Sequence, residues 1–229
     1  FSELLDGTHA LGLDAGTGAV TFTGAVGSGS STELGAITIS KATGGVTASS
    51  TIEAASVSIT DGGAVDLNGA VTTTGAFSSA GTSFDNTGGS ITTTNSAITI
   101  DHSGAVTIAG ALSSGSGAVD IDAGTTLGLT AAIDTTTGNV TLDSTNAMTI
   151  GADGDITATS TGAVTIGGSK AGLLTTSGDV TTAGGSITFD NDTTLGGDVL
   201  VSTGNLVAGN IVFSELLDGT HALGLDAGT

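Results

Sequence analysis

The side chains best suited to bind a ligand are carboxylates near the end of the chain. Asp190, Asn191, Asp192 and Asp198 fall within the ten residues FDNDTTLGGD (189–198). Oxygen atoms clustered at a turn are the ligands that Ca²⁺ prefers. The sequence has neither EF-hand spacing nor the Gly-Gly-x-Gly-x-Asp nonapeptide of calcium-binding β-helices. Asp190, Asp192 and Asp198 are therefore candidate calcium ligands, and the alternative is a solvated acidic turn.

Side chains for catalysis are scarce. His9, His102 and His221 are far apart in sequence, and no second His or Cys stands at metal-ligand spacing. The serines include no G-x-S-x-G nucleophile elbow. β-Helix enzymes that act on acidic sugars generally need Arg or Lys to hold carboxylates and Trp or Tyr as a sugar platform, but this chain has no Arg, Trp or Tyr. The sequence predicts that the protein is not an enzyme.

The two lysines, Lys41 and Lys170, raise the question of a side-chain isopeptide bond. Such a bond needs a buried Lys beside a buried carboxylate. Lys170 lies in the turn-like sequence GGSKAG (167–172). We therefore expect Lys170 to be exposed to solvent.

The composition restricts the class of protein. The 229 residues include 40 Gly but no Pro and no Cys, and the formal net charge is −20. This acidity argues against nucleic acid, since phosphate binding needs Lys and Arg, and against docking on an anionic membrane. A hydrophobic content of 38% is too high for an acidic disordered chain. No apolar run approaches the roughly 18 residues of a membrane-spanning helix.

The chain ends with the residues with which it begins. FSELLDGTHALGLDAGT occupies residues 1–17 and again residues 213–229, an offset of 212 residues. The identity includes surface positions such as Ser2 and Ser214, which convergent packing would not preserve. We therefore predict a tandem array, in which residues 1–212 are one full unit and residues 213–229 begin the next. The chain is then expected to be a segment of something longer.

A shorter pattern recurs inside this unit: a small residue, any residue, an aliphatic residue, usually Thr or Asp, and a second aliphatic residue. Examples are GAVTF (18–22), GAVTI (104–108 and 162–166), GAVDI (117–121) and GSITF (185–189). Alternating apolar and polar positions are typical of a β-strand that buries one face. The chain is therefore predicted to be a long series of short strands with almost no helix.

These strands recur at a regular spacing. Ile100, Ile121 and Leu142 are 21 residues apart, and the step grows to 24 between Phe189 and Phe213. A coil of this length with short strands and glycine-bearing corners is typical of a parallel β-helix. The sequence predicts an all-β parallel β-helix solenoid of about 21 residues per coil. Each 212-residue unit would contain roughly ten coils and rise about 48 Å.

The alternation within strands predicts which side chains point inward. Those expected to stack as internal ladders are Val20, Phe22, Ile37, Ile39, Val57, Ile59, Val65, Leu67, Phe77, Phe84, Ile98, Ile100, Val106, Ile108, Val119, Ile121 and Phe189. The outward position is often threonine, as at Thr21, Thr38, Thr99, Thr107, Thr141, Thr149, Thr165 and Thr188. Stacked threonines combine β-propensity with hydrogen bonding. A flat Thr-x-Thr row would suit ice binding, but Asp66 and Asp120 interrupt the row.

A β-sandwich array is the competing fold, because sandwiches also show turn signals every 8–12 residues or so. Sandwich cores usually contain Trp or Tyr, and neither occurs in this chain. The absence of Pro agrees with a solenoid, in which nearly every backbone N–H is bonded between coils. The β-helix is therefore the favoured fold.

The phrases LDAGTGAVTFTGAVG (13–27) and TTSGDVTTAGGSITFDN (175–191) resemble the repeat regions of very large filamentous-haemagglutinin-type surface proteins of Gram-negative bacteria. The resemblance covers essentially the whole chain and consists of composition and rhythm. It implies a right-handed β-helix shaft, secretion across the outer membrane, and a role in adhesion or matrix. The family's secretion domain and receptor-binding parts have no counterpart here, so no receptor is implied.

Together these features predict a structural shaft segment of a long extracellular fibre or giant surface adhesin. The expected partners are adjacent copies of the repeat end to end, and beyond them neighbouring fibres or a partner cell surface. A unit with 19 carboxylates and 2 Lys carries a charge of −17, which would keep such rods soluble. The alternative is a calcium- or surface-binding β-helix module. No cofactor other than Ca²⁺ is expected.

Overall fold

The fold is a solenoid of short parallel β-strands. A computed structural model describes residues 1–27, 33–168, 172–206 and 209–228, and within these ranges every regular element is a strand. None of the described residues belongs to a helix that would be long and apolar enough to cross a membrane. The strands are β1 (Leu11–Gly16), β2 (Val20–Phe22), β3 (Leu34–Ala42), β4 (Val46–Ala48), β5 (Ile52–Ile59), β6 (Ala64–Leu67), β7 (Val71–Thr73), β8 (Phe77–Gly81), β9 (Ser83–Asp85), β10 (Ile91–Thr93), β11 (Ile98–His102), β12 (Val106–Ile108), β13 (Leu112–Gly115), β14 (Val119–Ala123), β15 (Leu127–Leu129), β16 (Ile133–Thr135), β17 (Val140–Ser144), β18 (Ala147–Ile150), β19 (Ile156–Ala158), β20 (Val164–Ile166), β21 (Leu173–Thr176), β22 (Val180–Thr182), β23 (Ile187–Phe189), β24 (Thr193–Leu195), β25 (Val199–Ser202), β26 (Ile211–Phe213), β27 (Leu217–Gly219) and β28 (Leu223–Asp226).

Each strand pairs in parallel with its equivalents in the adjacent coils, which gives the rod three faces. Face 1 consists of the first half of β5 with β7, β10, β13, β16, β19, β22, β25 and β28. Face 2 consists of β1, β3, the second half of β5, β8, β11, β14, β17, β20, β23 and β26. Face 3 consists of β2, β4, β6, β9, β12, β15, β18, β21, β24 and β27. The chain passes through faces 1, 2 and 3 in that order in every coil.

The predicted coil length is confirmed by the register of the strands. Ile100 pairs with Ile121 and Ile121 with Leu142, at steps of 21 residues. Phe189 pairs with Phe213, at the longer step of 24. On face 3, nine steps lead from Val20 to Leu217. The chain is thus an all-β parallel solenoid, with nine coils between these two residues.

The interior is a continuous column of apolar side chains, as the alternation of residues predicts. Every side chain predicted to point inward is buried, including the four phenylalanines. The predicted outward threonines are exposed or half-buried. Asp120 interrupts the threonine row of face 2 between Thr99 and Thr141. Burial of this apolar column is the main favourable term in the stability of such a fold.

A column of glycines allows the coils to stack at the corner between face 1 and face 2. Its members are Gly117, Gly138, Gly162, Gly185 and Gly209. A Cβ atom on Gly138 would lie 1.8 Å from the carbonyl oxygen of Gly117, and one on Gly185 would lie 1.9 Å from that of Gly162. Since no side chain fits so close to a backbone, the corner requires glycine at these five levels.

The first and last coils each have one uncovered side within the described residues. Strands β1 and β2 pair only with β3 and β4, and strands β26, β27 and β28 pair only with the coil before them. Apolar side chains on these coils pack against the core but are only partly buried: Leu5, Leu11, Leu13, Ala15, Ile211, Phe213, Leu217 and Leu223. The ends therefore expose both strand edges and apolar surface.

Candidate functional site

The candidate calcium ligands lie at two corners of the solenoid. Asp190 directly follows β23 on face 2, and Asp192 directly precedes β24 on face 3. Asp198 directly precedes β25 on face 1. Asp190 and Asp192 line one surface depression, and Asp198 lines another. The structure therefore brings Asp190 and Asp192 near each other but not Asp198.

Each of these carboxylates bonds to the following coil. The Oδ1 atom of Asp190 accepts a hydrogen bond from Ser214 Oγ at 2.6 Å. Asp192 accepts from the backbone N–H of Leu216 at 3.2 Å, and Asp198 accepts from the N–H of Ala222 at 2.9 Å. The three side chains thus link the turn of the solenoid formed by β23, β24 and β25 to the turn formed by β26, β27 and β28.

Asn191 points into the protein between the two neighbouring carboxylates. Its side chain is buried, and its Nδ2 donates to the carbonyl oxygen of Gly172. Within the part of the chain that the structure describes, no three His, Cys, Asp or Glu side chains are grouped as metal ligands. Calcium binding by Asp190, Asp192 and Asp198 stays a prediction, while their role in joining coils is visible.

The same coil-to-coil bond recurs elsewhere in the solenoid. Asn139 Oδ1 accepts from the N–H of Ala163 at 3.0 Å. Asp155 accepts from the N–H of Asp179 at 2.8 Å, and Asp179 in turn accepts from the N–H of Leu200 at 2.8 Å. These short side chains satisfy backbone donors that the corners leave outside the regular ladders.

An acidic row runs along face 2. Asp101, Asp122 and Asp143 are in register on β11, β14 and β17, so successive carboxylates lie one coil apart. Asp120 is the outward residue two positions before Asp122 on β14. Burial raises the pKa of Asp120 above its ordinary value, and the charges of Asp143, Asp122 and Asp101 raise it further. This row concentrates negative charge on one side of the rod.

A buried histidine lies inside the solenoid behind this row. The Nε2 atom of His102 is 3.0 Å from Ser79 Oγ, and its ring centroid is 5.5 Å from that of Phe84. Its register partners, Gly81 and Ala123, are small and leave space for the ring. Burial lowers the pKa of His102 to about 4, although the charge of Asp101 acts in the opposite direction. The imidazole is therefore neutral at pH 7.

The pair of Ser79 and His102 resembles a nucleophile and base but is closed to substrates. The exposed fractions of the two residues are 2% and 1%. The sequence gives no reason to join them, because they are 23 residues apart and belong to different coils. The available signal is the alternation in ITIDH (98–102), which places the histidine on the inward side with Ile98 and Ile100.

A second feature not predicted from the sequence is a set of buried hydroxyl groups at the corner after face 1. Ser114 Oγ donates to the carbonyl oxygen of Gly117 at 2.6 Å. Thr135 donates to that of Gly138 at 2.8 Å, and Thr182 to that of Gly185 at 2.5 Å. The sequence signal is a Ser or Thr three residues before a glycine of the corner column.

Lys41 forms an ion pair at the surface of the solenoid. The Nζ atom of Lys41 lies 3.9 Å from Asp61 Oδ2, and both side chains are about half exposed, at 50% and 49%. This is a surface ion pair rather than a buried Lys beside a buried carboxylate. The predicted exposure of Lys170 falls outside the described residues.

Comparisons with protein-family models, with curated proteins and with solved structures find no match.

Proposed function

We propose that the chain is a segment of the shaft of a long extracellular fibre or giant surface adhesin of the filamentous-haemagglutinin type, built from 212-residue units stacked end to end. The observation that carries this proposal is that the seventeen residues at 1–17 recur at 213–229, and that the described residues of both copies form coils of the same solenoid. A rod whose two ends repeat one sequence is suited to continuation.

The uncovered coils need a neighbour. An unpaired parallel strand presents a row of free N–H and C=O groups, which is a template for association with another chain. Solenoids bury a continuous core only when each coil is covered by the next. Phe1 is 52% exposed at one end, and Leu225 is 56% exposed at the other. A further unit at each end would cover these side chains and continue all three ladders.

A junction between units is already present in the chain if the repeat is as proposed. Phe213, the first residue of the second copy, stacks on Phe189 with ring centroids 4.6 Å apart and planes within 4° of parallel. Leu217 pairs with Thr193 and Leu223 with Val199 at the same step of 24 residues. The second copy of the seventeen-residue sequence therefore stacks on the last coil of the unit by the same kind of pairing that joins coils inside the unit.

The surface of the rod is suited to a shaft. The charge of −17 per unit would keep neighbouring rods apart and soluble. The carboxylates of Asp190, Asp192 and Asp198 are bonded to the following coil, and the Ser79–His102 pair is closed inside the solenoid. These features support a structural function over catalysis.

Electron microscopy of arrays with one, two and three units would test this proposal. A shaft predicts rods of constant thickness whose length grows by about 45–50 Å per unit, since coils are spaced about 4.8 Å apart. Beads on a string, or compact particles whose diameter grows with copy number, would contradict a continuous shaft.

A matched pair of variants would serve as a control for this experiment. Gly209→Val in every unit would place a side chain against the carbonyl oxygen of Gly185, where a Cβ would lie 2.7 Å away. Gly128→Val adds the same atoms on β15, where nothing lies within 4 Å of the new Cβ. Rods should break or bend at each junction in the first array and stay intact in the second.

A further inference from the structure

The two copies of the seventeen-residue sequence occupy different faces of the rod. Phe1 lies beside Phe22 of β2, on face 3: its amino group donates to Thr21 O at 2.8 Å, and its carbonyl oxygen accepts from the N–H of Thr23 at 2.9 Å. The equivalent residue, Phe213, lies beside Phe189 on face 2. The same phenylalanine therefore stacks on a phenylalanine in both copies, but one face apart.

The remaining strands of the segment show the same displacement. Leu5 forms a bridge with Val26, whose own partner is Ile52 of face 1. Its equivalent, Leu217, pairs with Thr193 on face 3.

The third strand agrees with the first two. Leu11 pairs with Ile37 on face 2, whereas its equivalent, Leu223, pairs with Val199 on face 1. All three strands of the second copy therefore lie one face earlier in the coil than those of the first. The unit spans nine coils and two of the three faces, not a whole number of coils.

The residues before the second copy account for its position. Gly209 belongs to the glycine column of the corner between faces 1 and 2, where a Cβ would lie 2.7 Å from the carbonyl oxygen of Gly185. Thr203 Oγ1 donates to the carbonyl oxygen of Gly209 at 3.2 Å, as Thr182 does to that of Gly185. These contacts fix the sequence GNIVF (209–213) as a strand of face 2.

The sequence tolerates a change of face because the faces use the same strand motif. GAVTI at 104–108 contains β12 on face 3, and the identical GAVTI at 162–166 contains β20 on face 2. In both places Val and Ile are buried and Thr is outward. A strand of one copy can therefore stack in a column that a different strand occupied in the copy before.

We infer that successive units of the array join with an offset of one face, so that each unit repeats its predecessor one face earlier in the coil. This inference rests on the proposed function, and it adds the geometry of the contact between a unit and a second copy. Any surface feature returns to the same side only after three units. The acidic row of Asp101, Asp122 and Asp143 would then appear on each side of the rod in turn, and no side would be free of it.

Cysteine cross-linking of the chain would test the offset, since the chain has no cysteine of its own. In the structure Val212 is the register partner of Thr188 on face 2. If the unit contained ten whole coils, Phe213 would lie on face 3 as Phe1 does, and Val212 would face Thr194 instead. The two variants are therefore Thr188→Cys with Val212→Cys, and Thr194→Cys with Val212→Cys.

The expected result is rapid disulfide formation on mild oxidation of the first variant and little in the second, at least a tenfold difference in rate. Thr165→Cys with Thr188→Cys, register partners inside the rod, is the positive control for the chemistry. Cross-linking of the second variant in preference to the first would overturn the offset. Failure of both, with the control pair cross-linked, would also overturn it, because residues 211–213 would then pair with neither coil.

The outcome can be separated from that of the shaft proposal. Long rods in the microscope together with preferential cross-linking of residues 194 and 212 would support the shaft proposal and contradict the one-face offset. Compact particles would contradict the shaft proposal, whichever pair of cysteines forms the disulfide.

Discussion

At the scale of single residues, we expect His102 to make the stability of the solenoid dependent on pH. Its pKa is about 4 in the folded protein and near 6.5 when exposed, so the unfolded chain binds the extra proton between these values. Stability should therefore be complete above pH 6.5 and fall as the pH drops towards 4. The loss is at most about 3 kcal/mol, from 1.36 kcal/mol per pKa unit.

Chemical denaturation at a series of pH values would measure this effect. His102→Gln should remove the contribution of the buried imidazole and so reduce the slope between pH 6.5 and 4, whereas His9→Gln, at an exposed position, should retain the wild-type slope. An identical slope in the wild type and in His102→Gln would show that the buried imidazole does not control acid stability.

Asp120 should have the opposite effect. Burial and three neighbouring carboxylates raise its pKa, so the charged form present at pH 7 is disfavoured in the folded protein. Asp120→Asn should stabilise the protein at pH 7 by roughly a few tenths of a kcal/mol, because the group is partly solvated. The gain should vanish below the ordinary value of 3.8, where the carboxyl is protonated in both states.

Thermal unfolding of Asp120→Asn at pH 7 and pH 3 would check this prediction. Asp134→Asn is the matched control, since Asp134 lies on face 1 in register with Ser113 and Thr157 rather than among carboxylates. An equal gain in both variants would attribute the effect to net charge instead of the acidic row.

At the scale of elements, the corner glycines determine whether coils can stack. Gly138→Ala places a Cβ 1.8 Å from a backbone carbonyl oxygen, so two coils must separate locally. We expect a loss of about 1–3 kcal/mol in the free energy of unfolding, the usual cost of overpacking. Gly128→Ala, with nothing within 4 Å of the new atom, should be neutral or slightly stabilising. Urea denaturation would measure both, and equal stabilities would refute the role of the glycine column.

The sequence predicts the strands and their register but not the face that each strand occupies. Alternation identifies the buried side chains, and the spacing of Ile100, Ile121 and Leu142 predicts their pairing, because apolar columns tolerate no slip of one residue. The identical GAVTI strands of faces 2 and 3 carry no such information, so the face depends on counting residues through every corner. His102 was missed because a polar residue on an inward position breaks the apolar pattern, and its partner Ser79 lies one coil away.

The candidate site shows a similar limit. The sequence identifies Asp190, Asp192 and Asp198 as oxygen donors close together in the chain, and the structure directs each to a different group of the next coil. A parallel solenoid places residues 24 apart side by side and residues eight apart on different corners. Local clustering of carboxylates is therefore a poor guide to clustering in space for this fold.

At the scale of the whole molecule, the three faces and the position of the junction determine how a fibre would present itself. A unit with a whole number of coils would align its acidic row along one side of the rod and leave the other sides free to associate. An offset of one face distributes the same carboxylates around the rod, so that rods repel each other from every direction. Lateral bundling would then require screening by salt.

The uncovered ends predict that separate copies of the 229-residue chain associate end to end. Leu225 pairs with the buried Val201 and is 56% exposed, because it lies in the last coil of the described residues. Leu173, 62% exposed, lies on the side of the rod within β21. Sedimentation velocity over a range of concentrations should show reversible oligomers that Leu225→Lys weakens by at least tenfold, since a charge buried between coils is costly. Leu173→Lys should leave association unchanged. If Leu173→Lys were instead the variant that abolished oligomers, the contact would lie between the sides of rods. Stacking of the terminal coils would then not explain the association.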